Sequence, residues 1–234
     1  MRGRIDIHEE RGATMVEVLV SIATGMVVLT GLTMVIVVTL HGSSRVSARV
    51  EATQTARIAV ARVMEQLHSA CVAPKIAPVR AGSSGSTVRF FRASGAEASA
   101  VAPIPTLTEV RLEGEDLTQT EYATTGTAPN WAETSTVTAP AHILVTGVSP
   151  ITPGGSIFTY YGYYEGALTQ VVPSRTLTSG QASTVVEVRL ALTATPRSSN
   201  PVADAGAPAT IRDSAVMSLT PPSFNENANA LPCR

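Results

Sequence analysis

ATMVEVLVSIATGMVVLTGLTMVIVVTL, residues 13–40, is an apolar run with a single charged residue, Glu17. A helix of these 28 residues would be about 42 Å long, while the hydrocarbon core of a bilayer is about 30 Å thick. A lone strand in lipid would leave its backbone N–H and C=O groups unpaired. The run therefore predicts a transmembrane helix over residues 13–40.

The length and flanks of this run differ from those of a cleavable secretory signal. The apolar region of such signals is typically about 7–15 residues. After Leu40 the best match to a small-residue cleavage site is the weak one at Val46-Ser47-Ala48. Arginines stand on both sides of the run, so the charge bias alone does not set its orientation. They are Arg2, Arg4 and Arg11 before it and Arg45 and Arg49 after it.

The helical pattern continues beyond the membrane run. Apolar residues recur at intervals of three and four, with a gap at Thr53, which is typical of a helix with one buried face. They are Val46, Val50, Ala56, Val60, Val63, Leu67 and Cys71. No proline occurs between Ala13 and Val72, and Pro74 and Pro78 follow. The pattern predicts one long helix over residues 13–72, whose second half packs against a sheet.

The rest of the chain has the pattern of a β-rich head. Val186, Val188 and Leu190 alternate with Glu187 and Arg189, as in a half-buried strand. Strands are predicted at 87–93, 107–113, 118–123, 142–148, 156–164, 168–172, 184–194 and 209–219. We expect a linker loop at 73–86, a head at 87–219 and a C-terminal tail at 220–234. The predicted fold class is α+β, a long N-terminal helix packed on a mainly antiparallel sheet.

The composition argues against several classes of function. The net charge is −1 and no cluster of Lys and Arg offers a phosphate-binding face, so no nucleic-acid partner is expected. The sequence lacks GxSxG, GxxxxGK and HExxH motifs, and His41, His68 and His142 are isolated. We therefore expect neither an enzyme nor a cofactor. A membrane-tethered enzyme remains an alternative, because the members of a catalytic triad need not be close in sequence.

Two clusters in the head have alternative interpretations. Glu113-Gly114-Glu115-Asp116 has too few neighbouring oxygen ligands for Ca²⁺, which takes about 6–8. We therefore predict a solvated turn and no metal site, with calcium binding as the alternative. The tyrosines at 160, 161, 163 and 164 flank Gly162. They are predicted to pack in the core at a partly exposed edge, or else to form a patch that contacts a ligand or subunit.

The chain has two cysteines, Cys71 and Cys233. Two are too few for a structural zinc site, which usually takes about four ligands. If the head lies outside the cytoplasm, the natural prediction is one disulfide between them. This bond would attach the C-terminal tail near the end of the long helix. The alternative is a pair of unrelated thiols.

Arg11-Gly12-Ala13-Thr14-Met15-Val16-Glu17-Val18 resembles the processing motif of type IV prepilins and type II secretion pseudopilins. The resemblance implies that residues 1–12 are a leader, which a prepilin peptidase removes by cutting between Gly12 and Ala13. The new N-terminal residue is then methylated. Thr14 and Glu17 correspond to the family's usual Thr and Glu at the second and fifth mature positions. Ala13 departs from the family, where Phe is usual.

The charge of Glu17 has a physical explanation within this resemblance. A carboxylate inside a bilayer is costly and functional by default. Cleavage after Gly12 would create an α-amino group four residues from Glu17. The amine of one subunit would be a counter-ion for Glu17 of a neighbouring subunit and would set their register. The alternative is an ordinary signal anchor with a glutamate near the membrane interface.

The function implied by the resemblance is that of a minor type IV pilin or pseudopilin, most similar to the larger minor pilins and pseudopilins of the W and J types. Its partners would be prepilin peptidase, other pilin or pseudopilin subunits and the membrane. Before assembly, the chain would reside in the cytoplasmic membrane with its N-terminus in the cytoplasm and its head outside. It would then join a filament of a pilus, a secretion system or a DNA-uptake system. The alternative is a single-pass membrane protein with a β-rich binding domain.

Overall fold

The structure is a computed structural model that describes residues 14–70, 77–93, 105–127, 130–171, 175–196 and 207–217. Within these ranges it contains a long N-terminal helix followed by strands in antiparallel pairs. The predicted α+β class, a long helix with an antiparallel sheet head, is therefore confirmed. The chain divides into two units, residues 1–46 and 47–234.

The first helix, α1, extends over Met15–His68. The part in the first unit has the properties of a membrane anchor. Its mean hydropathy reaches 2.2, and none of that apolar window is buried. Among the described residues it is the helix that is long and apolar enough to cross a membrane. The predicted leader, residues 1–12, lies outside the described residues.

Hydroxyl side chains occur throughout this apolar segment without leaving free polar groups. Each of these hydroxyls donates to the backbone carbonyl four residues earlier, so it is satisfied within the helix itself. The pairs are Ser21 to Glu17, Thr24 to Val20, Thr30 to Met26, Thr33 to Leu29 and Thr39 to Val35, at 2.7–2.8 Å. These residues are therefore compatible with lipid despite their polarity.

The second unit contains the remainder of α1 and two sheets. The first sheet is a four-stranded meander in the order β1-β2-β3-β4. Its strands are β1 Thr87–Ala93, β2 Pro105–Glu113, β3 Asp116–Thr127 and β4 Asn130–Thr146. Each strand pairs antiparallel with the next strand along the chain.

The second sheet is centred on one strand, β8. Its elements are β5 Val148–Ser149, β6 Phe158–Tyr164, β7 Ala167–Val171, β8 Val185–Ala194 and β9 Ala209–Val216, with helix α2 Ser179–Thr184 before β8. Strand β9 pairs with β8 along one side, from Glu187 to Ala194. Strands β6 and β5 share its other side, and β7 pairs with β6 at the sheet edge.

The structure corrects the prediction that 142–148 is a short strand after a connecting segment. Strand β4 begins at Asn130 and continues to Thr146. The Thr-rich stretch before Pro140 favours strand. The proline is tolerated because β4 is an edge strand and Pro140-Ala141 lies in a register shift between Ala139 and His142. Helix α2 was also not predicted; Thr178 and Gln181 cap it reciprocally.

The core of the second unit forms where α1 meets the two sheets. Ala56, Val60, Val63 and Leu67 of the predicted stripe are each at most 2% exposed. They belong to one hydrophobic cluster with residues of both sheets, including Val88, Phe90, Phe158, Tyr160, Val188 and Leu190. Burial of each large apolar side chain contributes about 1.5–3 kcal/mol. Val46 and Val50, by contrast, are 65% and 48% exposed, so the buried stripe is shorter than predicted.

Tyr160 connects the second sheet to the chain segment that leads into the first. Its side chain is 1% exposed. The hydroxyl lies 2.8 Å from the carbonyl oxygen of Ser84 and 2.9 Å from that of Thr87. Burial raises the pKa of this hydroxyl far above the ordinary value of 10.0, because the apolar surroundings penalise the phenolate. Tyr160 therefore stays protonated while the chain is folded.

The raised pKa of Tyr160 predicts an alkaline loss of stability. Below the ordinary tyrosine pKa of 10.0, both folded and unfolded chains hold the proton, so the free energy of unfolding does not change. Above it the unfolded chain releases the proton first, so this free energy should fall by up to about 1.4 kcal/mol per pH unit. Denaturant unfolding of the full chain in detergent between pH 9 and 11 measures this slope. Tyr160→Phe should flatten it and Tyr163→Phe should not.

Candidate functional site

The structure describes two of the six residues predicted to be functional. Thr14 and Glu17 lie at the start of α1. The predicted cleavage residues Gly12 and Ala13 and the predicted disulfide residues Cys71 and Cys233 lie outside the described residues. The described part of the predicted site therefore begins at the first turn of α1.

Thr14 caps the helix. The backbone N–H of Glu17 donates to the carbonyl oxygen of Thr14 over 2.9 Å and lies 3.4 Å from its Oγ1, and the N–H of Val18 donates to the same carbonyl over 3.2 Å. A threonine with a glutamate three residues later has the spacing of a capping box. This capping role of Thr14 was not predicted, although the spacing of Thr14 and Glu17 in the sequence indicates it. Thr14 thus caps a helix that begins at Met15, three residues after Gly12.

Glu17 lies in the first turn of α1 beside a shallow surface groove. Glu17, Val18, Ser21 and Ile22 line this groove, which has a volume of about 430 Å³. The Ser21 hydroxyl donates to the backbone carbonyl of Glu17 over 2.7 Å, so it does not compete for the carboxylate. An amino group could therefore approach the carboxylate from the groove.

The described residues contain no cationic partner for Glu17. The ion pairs that they form all lie in the second unit. The helix dipole stabilises a carboxylate in the first turn by about 0.3–1 kcal/mol. Taking that carboxylate out of water costs several kcal/mol. The dipole alone would not offset this cost if the carboxylate lay in the hydrocarbon core of a bilayer.

A buried polar network attaches α1 to the first sheet. Gln66 Nε2 donates to Gln119 Oε1 over 3.2 Å, and Gln119 Nε2 donates to Glu121 Oε1 over 3.1 Å. Arg92 pairs with the same carboxylate oxygen at 2.5 Å. Arg62, Glu65, Gln66, Ser69 and Arg92 line a cleft of about 250 Å³ beside the network. Because these hydrogen bonds are directional, the network specifies the register of α1 on β3.

The tyrosines at 160, 161, 163 and 164 occupy different environments. Tyr160 is in the core, whereas Tyr163 and Tyr164 are 63% and 68% exposed near the end of the β6–β7 hairpin. The Arg189 guanidinium lies 4.1 Å from the centre of the Tyr161 ring. Its hydrogen bonds to Glu187, the shorter of 2.7 Å, raise the pKa of Arg189, which therefore remains charged. The ion pair with Arg189 compensates the charge of the Glu187 carboxylate, whose residue is only 8% exposed.

The acidic cluster at residues 113–116 is the turn of the β2–β3 hairpin. Glu113 and Asp116 face each other across it, and Gly114 has a φ of 64°. Glu113 contacts Arg111 at 3.4 Å. Among the described residues, no three side chains of His, Cys, Asp or Glu come together as metal ligands.

No protein-family model matches the sequence, and no curated protein matches it either. The assignment of function therefore depends on the residues at the start of α1 and on the arrangement that follows them.

Proposed function

We propose that this protein is a minor type IV pilin or pseudopilin. It is made as a prepilin in the cytoplasmic membrane, is cut after Gly12 and joins or primes an extracytoplasmic filament. The observation that carries the proposal is Glu17, a carboxylate without a cationic partner among the described residues, in the first turn of a helix apolar enough to cross a membrane. A solitary membrane anchor has no use for such a charge.

Cleavage would supply the missing charge. The cut between Gly12 and Ala13 creates an α-amino group on the residue directly before Thr14. The Thr14 cap supports this arrangement because the helix begins at Met15. In the cleaved chain only Ala13 and Thr14 would precede the helix. Within one chain, the amine and Glu17 both lie at the same helix end. Between two chains, the amine of one subunit reaches the Glu17 groove of its neighbour and sets their register.

The rest of the chain supports the same class. The second half of α1 buries one face against antiparallel sheets, as the helix of a pilin does under its head. The meander and the second sheet make a head of the size found in the larger minor pilins and pseudopilins of the W and J types. In this proposal the N-terminus is cytoplasmic and the head is outside the membrane.

Processing by prepilin peptidase tests the proposal. The full chain is co-expressed with and without the peptidase, and its mass is compared. Gly12→Val should block cleavage, because a branched side chain prevents the close backbone approach that glycine allows in a protease cleft. Gly25→Ala is the matched control, since an added Cβ there meets nothing within 4 Å. It should be cut like the natural chain. A natural chain that keeps its leader in the presence of the peptidase would favour the single-pass binding protein.

A further inference from the structure

Among the described residues, the two sheets of the second unit have five edge strands, four of which are protected. Strand β5 is protected by its length of only two residues. The outer side of β1 is bridged by Ala70 and Val79, which pair with Arg92 and Phe90. Strand β4 contains Pro140 and several register shifts. Strand β9 carries Arg212 and Asp213. Covering segments, prolines, bulges and charges are the usual devices that prevent sheets from pairing edge to edge.

The remaining edge strand, β7, has none of these devices. Its sequence, Ala167–Val171 or ALTQV, contains no charged residue and no proline. The first four residues are exposed, and no described strand pairs with its outer side. This combination is the usual signature of a strand that accepts another strand.

The hairpin geometry determines which backbone groups of β7 face outward. The loop between β6 and β7 is Glu165-Gly166, with φ values of 50° and 80°. A two-residue loop with positive φ at both positions is a type I′ turn, and its closing pair, here Tyr164 and Ala167, is hydrogen-bonded. Hydrogen-bonded and non-hydrogen-bonded pairs alternate along an antiparallel ladder. The N–H and C=O groups of Leu168 and Gln170 therefore point away from β6.

The outward N–H and C=O groups of one β7 strand can form hydrogen bonds with the same groups of β7 in a second copy of the chain. In an antiparallel arrangement centred on Thr169, Leu168 lies opposite the partner's Gln170, and the same pair repeats on the other side of a two-fold axis. We propose that β7 pairs in this way with β7 of a second copy of the chain. The absence of charge favours a second copy because identical edges then do not repel each other. The pairing also brings the exposed side chains of Leu168 and Tyr163 from both copies onto one continuous sheet.

The size of this contact indicates where it forms. One five-residue strand is small beside the total of about 1,600 Å² that a typical stable interface buries. Pairing should therefore be weak in dilute solution. Two chains anchored in one bilayer are held at a high effective concentration, which favours a weak contact. The inference needs membrane anchoring by α1 but does not depend on cleavage after Gly12.

Cysteine cross-linking of the full chain in lipid vesicles tests the pairing. Thr169 would face the partner's Thr169 in a non-hydrogen-bonded pair, with Cα atoms about 4.5 Å apart, which a disulfide can bridge. Thr169→Cys should therefore give a dimer under mild oxidation, with the 169–169 bond identified by mass spectrometry. Thr210→Cys is the matched control, on the exposed β9 edge. Both variants retain the native cysteines. Equal yields of dimer from the two variants would overturn the proposal.

A second pair of variants tests the backbone hydrogen bonds. Added to Thr169→Cys, Leu168→Pro removes the outward N–H of residue 168 without removing a bond to β6. Leu168→Ala removes most of the same side chain but keeps the N–H. The symmetric dimer loses this hydrogen bond at two equivalent positions, so the proline variant should cross-link about tenfold less than the alanine variant. The same yield from both would contradict strand pairing.

Discussion

Glu17→Ala is expected to leave the chain in the membrane but to prevent its recovery with partner pilins. In the proposed filament, Glu17 pairs with the α-amino group of a neighbouring subunit in a medium of low dielectric constant. Removing one partner of a buried ion pair leaves the other charge uncompensated, which costs about 3–5 kcal/mol. Since about 1.4 kcal/mol is a factor of ten, association should weaken by more than about a hundredfold.

Ser21→Ala is the matched control for this prediction. Ser21 lines the same groove, but its hydroxyl is already bound to the carbonyl of Glu17. The control should therefore assemble normally. The experiment co-expresses each variant with a prepilin peptidase and candidate partner pilins. It measures the membrane fraction and the amount that co-purifies with the partners. Normal co-purification of Glu17→Ala would contradict the counter-ion role.

Val63→Asp is expected to unfold the second unit. Val63 is 0% exposed, within the buried stripe that α1 presents to the sheets. An unpaired carboxylate at this position costs several kcal/mol in addition to the lost burial of valine. Domains are typically stable by only about 5–15 kcal/mol, so this single change removes much or all of the stability.

The same substitution at Ile58 provides the control. Ile58 belongs to the same helix but is 70% exposed. Ile58→Asp should therefore change the free energy of unfolding by less than about 0.5 kcal/mol. Resistance to limited proteolysis and denaturant unfolding of the full chain in detergent measure both variants. A protease-resistant head in Val63→Asp would show that α1 does not contribute the core contacts described here.

Periodicity in the sequence predicts much of the fold. The intervals of three and four from Ala56 to Leu67 place one helix face in the core, and this face is buried. Alternation along 184–194 predicts β8, which is found at Val185–Ala194. These predictions succeed because one face of each element is apolar and the other is polar, so burial follows from local pattern alone.

Other features depend on contacts that sequence pattern does not encode. Gln66 and Gln119 are polar residues that a pattern assigns to the surface, yet they are 6% and 1% exposed. They are buried because each is the hydrogen-bond partner of the other, across 53 positions of sequence. The first half of β4 was not predicted, because its residues do not alternate strictly between apolar and polar. Its strand conformation depends on pairing with β3.

The candidate site was predicted in part. The apolar run, Thr14 and Glu17 are recognisable from sequence, and the structure places both residues in the first turn of the helix and its cap. The predicted cut at Gly12 and Ala13 and the predicted Cys71–Cys233 bond remain predictions. Ala13 stands where the prepilin motif usually has Phe, and this departure is the one most relevant to the proposed cleavage. The peptidase must accept this smaller residue for the proposed amine to form.

The N-terminal sequence of the mature protein shows directly whether the proposed cleavage occurs. The chain is purified from cells that contain a prepilin peptidase, and its first residues are determined by mass spectrometry. We predict a chain that begins at Ala13 with a methylated α-amino group, followed by Thr14. A chain that begins at Met1, or at any residue other than Ala13, would contradict the proposal that Glu17 awaits an amine created by cleavage.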